Sequence, residues 1–140
     1  MITKLRSGSP RRRVVAAVAT TVAVLTGGAC GSSSDGSSLT VLTPSHPTAT
    51  VSTDDRFRLS LPENAGTGYH WVLDTRPQRS IARSLGSAYV AGGTKPGAPG
   101  RQTFTFRARG TGTATVIVAE YPPGSGTEPD RKVTFTVTVH

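Results

Sequence analysis

Three histidines, one cysteine and eight carboxylates are the side chains of this chain that could serve acid–base, nucleophilic or metal chemistry. Their spacing assembles none of these. His46 lies in a proline-flanked stretch, His70 at the start of an apolar run and His140 at the C-terminus, so no His-x-x-x-His pair or cysteine cluster offers metal spacing. Cys30 sits in the signal or linker, away from any candidate base, and the acidic residues fall mostly in turns, where carboxylates are usually solvated. The sequence therefore gives no ground for an enzyme, a metal or a cofactor. What remains is backbone chemistry in three loops rich in glycine and proline: Pro62–Gly68, Lys95–Gly100 and Tyr121–Pro129. Glycine lets a main chain come close to a partner surface, and proline lowers the entropy lost when a loop is fixed there. By composition alone such loops are most often ordinary turns.

The segments that must hold these loops alternate with period two. Phe57, Leu59 and Leu61 fall on one face of Arg56–Leu61, with Arg56, Arg58 and Ser60 on the other. Gln102–Ala108, Thr113–Val118 and Lys132–Val139 repeat the pattern, which marks half-buried antiparallel strands. Shorter strands are expected at Leu39–Leu42, Thr48–Ser52, Tyr69–Leu73 and Ala88–Ala91, and a short helical turn at Ser80–Leu85. Seven to eight strands within about 100 residues predict an all-β, immunoglobulin-like antiparallel β-sandwich. With one cysteine it has no disulfide, so packing must hold it. The expected core is Phe57, Leu59, Trp71, Leu73, Phe104, Phe106, Val116, Val118, Phe135 and Val137.

Residues 1–29 are read as an export signal. Lys4, Arg6 and Arg11–Arg13 precede the twelve-residue run Val14–Leu25, too short to span a bilayer comfortably, and small residues follow. Cys30 and the glycine/serine linker to Ser38 resemble a lipoprotein start, with Cys30 lipidated and the domain held on the outer face of the cell membrane. Gly27 stands where that pattern usually has leucine. An ordinary secretory cut near Ala29 is the alternative, and Arg11-Arg12-Arg13 also permits twin-arginine export. The formal charge of +8 belongs largely to this segment. Removing its five basic residues from sixteen leaves eleven against eight acidic ones, a net +3, scattered without a nucleic-acid stripe. Residues 39–140 are the expected domain.

The loops carry a resemblance over about Leu39–Val139. Asn64-Ala65-Gly66-Thr67-Gly68-Tyr69, after Leu61-Pro62, is similar to the first loop of the chagasin-like inhibitors of papain-family cysteine peptidases, Asn-Pro-Thr-Thr-Gly-Tyr/Phe. It matches at Asn64, Thr67, Gly68 and Tyr69 and differs at Ala65 and Gly66; Trp71 also looks like the family. Gly97-Ala98-Pro99-Gly100-Arg101-Gln102-Thr103-Phe104 resembles the family's Gly-Ala-Gly-Gly-Thr-x-x-Phe. The third family loop, Arg-Pro-Trp, corresponds to Glu120-Tyr121-Pro122-Pro123-Gly124, with Gly124 in the tryptophan's place.

The resemblance implies a reversible, non-covalent inhibitor whose three loops wedge into the peptidase cleft. Thr67-Gly68 would lie over the catalytic cysteine–histidine pair, with Thr67 as the foremost tip and Asn64 bracing the loop. Gly97, Ala98, Pro99 and Gly100 would pair by backbone hydrogen bonds like an added strand, while Tyr121, Pro122 and Pro123 would cover the leaving-group side. The implied partner is a papain-like cysteine peptidase, and the implied state a monomer. The alternative is a non-inhibitory cell-envelope binding or scaffold module that keeps the sandwich.

Overall fold

The computed structural model describes residues 37–124 and 126–140; Cys30, the export signal and most of the linker lie outside the described residues. Eight strands are described: β1 (Leu39–Leu42), β2 (Thr48–Val51), β3 (Arg56–Glu63), β4 (His70–Thr75), β5 (Ala82–Val90), β6 (Gly100–Ala108), β7 (Gly112–Tyr121) and β8 (Arg131–Val139). They form two four-stranded sheets, ordered β1-β3-β6-β5 and β2-β8-β7-β4. Alternation is the cause: Phe57, Leu59, Phe104, Phe106, Val116, Val118, Phe135 and Val137 are buried between the sheets, and threonines and arginines face out. Pairing is antiparallel except at one edge of each sheet, where β1 runs parallel to β3 and β2 parallel to β8. Thr43 and His46 exchange backbone hydrogen bonds of 3.2 and 2.9 Å in the tight turn that switches the chain between sheets.

The core carries the expected residues, with Phe57 stacked on Phe106 at a ring separation of 5.2 Å. Leu42, Leu61, Val51, Val139 and the small Ala82, Ala108 and Ala114 complete it. Leu73 is only partly buried, because the register of β4 shifts between Leu73 and Thr75. The helical turn expected at Ser80–Leu85 is corrected. A single turn closes earlier, where Ile81 and Ala82 donate to the Gln78 carbonyl at 2.9 Å, and Ala82 then opens β5. This edge strand pairs on one side only and carries a bulge at Gly86 (φ 127°), so its residues after Ala82 are exposed and no alternation shows. All strands and the whole core fall within the compact unit Ser34–His140, which meets the requirement for folding alone.

Register fixes where the loops emerge. Glu63 at the end of β3 faces Gly100 at the start of β6, and Val90 at the end of β5 faces Arg101. His70 at the start of β4 faces Tyr121 at the end of β7. The β3–β4, β5–β6 and β7–β8 connections therefore leave from one pole. The start of β3 and the β4–β5 and β6–β7 connections lie at the other.

Candidate functional site

The first loop is shaped by Asn64. Its side-chain oxygen accepts from the Gly66 N–H at 3.1 Å, and its carbonyl accepts from the Thr67 N–H at 3.0 Å and the Thr67 hydroxyl at 2.8 Å. The result is a 3-10 turn over Ala65–Thr67, capped by Gly68 in the left-handed region at φ 80°. An asparagine cap and a left-handed glycine are what such a turn needs at its two ends. Thr67 is exposed, yet its hydroxyl is turned back into the loop, so its outward face is methyl and main chain.

The three loops touch. A Cβ placed on Gly66 would lie 3.5 Å from Gly97 Cα, and one on Gly68 would lie 2.7 Å from Pro123 Cβ. Gly66 and Gly68 thus carry no side chain at the points where the first loop meets the second and third. In the second loop Gly97 is left-handed at φ 77°, and the Ala98 N–H donates to the Lys95 carbonyl at 3.1 Å. Pro99 is exposed and Ala98 half-buried. Gly100 is not on the rim: it is the first residue of β6, buried where any Cβ would collide with the Tyr89 hydroxyl. Tyr121 is the last residue of β7, half-buried and stacked on His70 at 6.0 Å, so it supports the third loop from below. Pro123 and Gly124 are exposed; Gly124, in the position aligned with the family's tryptophan, has φ 96°.

Under the first loop lies a layer of which sequence reading found only Trp71. Trp71 Nε1 donates to the Pro62 carbonyl at 2.9 Å, tying the loop's entry to the core, and the Arg131 guanidinium sits 4.9 Å from the Trp71 ring. Arg131 also pairs with Glu120 at 3.2 Å, its cross-strand neighbour. Glu63 Oε2 is buried without a hydrogen-bond partner. Burial raises the Glu63 carboxyl above its ordinary pKa, against the opposing pull of His70. Register pairs Glu120 with Arg131 in one sheet, and Glu63 reaches them from the other sheet, so a single strand's alternation carries no sign of the group. Among the described residues no three His, Cys, Asp or Glu side chains gather as a metal site would require. The rim offers main chain, small residues and shape.

The profile of the chagasin family peptidase inhibitors, I42, matches residues 50–139, and the chain belongs to this family. No curated protein sequence matches it. Among solved structures, the fold is similar to the cysteine protease inhibitor EhICP2 of Entamoeba histolytica, with a TM-score of 0.62 and 22% identity over 74% of this chain and 96% of that one. Amebosin, solved in solution, gives 0.59 and 24% over 75% and 100%. PbICP-C, solved in complex with falcipain-2, gives 0.51 and 21% over 75% and 93%. At these identities the likenesses establish the sandwich; the family rests on the sequence match.

Proposed function

We propose that this protein inhibits papain-like cysteine peptidases by inserting the Asn64–Gly68, Gly97–Pro99 and Pro122–Gly124 rim into the active-site cleft. The observation that carries this reading is the contact of all three loops at one pole, Gly66 against Gly97 and Gly68 against Pro123. A pre-assembled rim loses little conformational entropy on binding. Thr67-Gly68 would approach the catalytic cysteine as bare backbone, while Gly97–Pro99 would run along the substrate groove. The loop survives as an inhibitor because the Asn64 carbonyl is already bonded twice within its own turn, which keeps the segment from extending like a substrate. No bond to the enzyme forms, and one domain suffices. Export by the N-terminal signal and a lipid on Cys30 would place the rim outside the cell; membrane-fraction mass spectrometry finding Cys30 without a diacylglyceryl group would remove that part.

Titration of the Ser34–His140 domain against papain tests the inhibition. The expected result is reversible inhibition relieved by excess substrate, with the domain recovered uncut. Gly68→Glu should weaken it about a hundredfold or more, since a side chain there meets Pro123 and the cleft. No inhibition in the micromolar range by the folded domain would favour a scaffold module instead.

A further inference from the structure

The pole opposite the loops carries a different surface. Arg76, Arg79, Arg83 and Arg109, with Ser84, line a cavity of about 480 Å³. No carboxylate lines it, and none of the four arginines is in an ion pair among the described residues, whereas Arg107 and Arg131 are. Four like charges held together repel one another unless an anion joins them. The cluster is held in place by the backbone. Pro77 is buried, Gln78 accepts from Ile81 and Ala82 at 2.9 Å, and the Arg109 N–H donates to the Ile81 carbonyl at 2.8 Å.

We infer that this cavity is a phosphate-binding site for the headgroups of anionic phospholipids, and that it seats the domain on a membrane with its loop rim pointing away. The position of the N-terminal strand names the source of the phosphate. Ser38 is fixed at this same pole, its N–H on Asp55 at 2.9 Å and its carbonyl accepting from Arg56 at 2.8 Å. Arg56 faces Arg107, and Arg107 faces Arg83, so a row of arginines runs across the sheet from the linker to the cavity, with Asp54 offsetting Arg107 at its middle. The eight linker residues after Cys30 reach about 15 Å by composition. A lipid on Cys30, the anchor reading on which this part rests, keeps the arginine pole within about two Debye lengths of the bilayer. Guanidinium forks suit phosphate oxygens bidentately.

Co-sedimentation of the Ser34–His140 domain with vesicles tests this without the anchor. Binding to phosphatidylglycerol vesicles but not phosphatidylcholine ones is expected, and it should weaken as salt rises. The Arg76→Ala/Arg79→Ala pair, both exposed, should lower affinity roughly thirtyfold, about fivefold per arginine. The Lys/Lys pair at the same positions, which keeps the charges and guards against misfolding, should bind between wild type and the alanine pair, because an ammonium keeps the attraction and lacks the bidentate fork. Papain inhibition by these variants should be unchanged, so failure at this pole and failure at the rim read out separately. Unaltered phosphatidylglycerol binding by the folded alanine pair would overturn the site. Saturable binding of inorganic phosphate at these arginines with no retention on vesicles would overturn the lipid source and leave a soluble anion.

Discussion

Gly68 and Ala65 set the behaviour of the first loop through opposite properties. Gly68 must be glycine, being left-handed and packed against Pro123. Ala65 opens the 3-10 turn after an extended Asn64 (φ −113°, ψ 95°), a place where proline's fixed φ fits. Ala65→Pro should therefore tighten papain binding several-fold by lowering the entropy of the free loop. Unchanged or weaker binding would show that loop stiffness does not limit affinity. Glu63 makes a second residue-scale prediction. Its folded pKa is raised by burial, so the ionised form costs stability at neutral pH and the cost disappears as pH falls below the ordinary carboxylate value. Glu63→Gln should raise the melting temperature near pH 7, and the gain should vanish by about pH 4. A gain that is equal at both pH values would mean that the charge is not the cause.

At the scale of elements, the strands with alternating phenylalanine and valine were legible because one face of each is buried; β3, β6, β7 and β8 lie where periodicity puts them, their ends longer by one to three residues. β5 was not. It is a polar edge strand with a bulge, and its preceding turn at Gln78–Ala82 gave a local signal that resembled a helix. The parallel edges of β1 and β2 were equally hidden, since pairing direction leaves no mark on either strand alone. The loop residues were legible through motif, but their roles divide. Asn64–Gly68, Gly97–Pro99 and Pro123 lie at the rim, while Gly100 and Tyr121 belong to the strands beneath it. The third loop shows why alignment alone misleads. Gly124 has φ 96°, so Gly124→Trp should cost about 1–2 kcal/mol of stability and give no tighter inhibition. A large gain in affinity from that substitution would show that the loop rearranges to the family's backbone.

For the molecule as a whole, two sheets without a disulfide make rim geometry depend on packing. Phe106 is fully buried, stacked on Phe57 and placed in the central strand β6, whose start holds the second loop. Phe106→Ala should cost about 3–5 kcal/mol in denaturant unfolding. A loss below 1 kcal/mol would mean the core is not shared between the sheets as described. The sandwich also separates two surfaces: a rim of main chain and small residues at one pole, and at the other the N-terminal strand's entry with four arginines that have no ion pair among the described residues. Amide hydrogen exchange on the Ser34–His140 domain, with and without equimolar papain, tests the central claim. Protection should appear in Asn64–Gly68, Gly97–Pro99 and Pro122–Gly124 together, with Arg76–Arg83 unchanged. Protection on the sheet faces instead, or at only one of the three loops, would contradict a shared inhibitory rim.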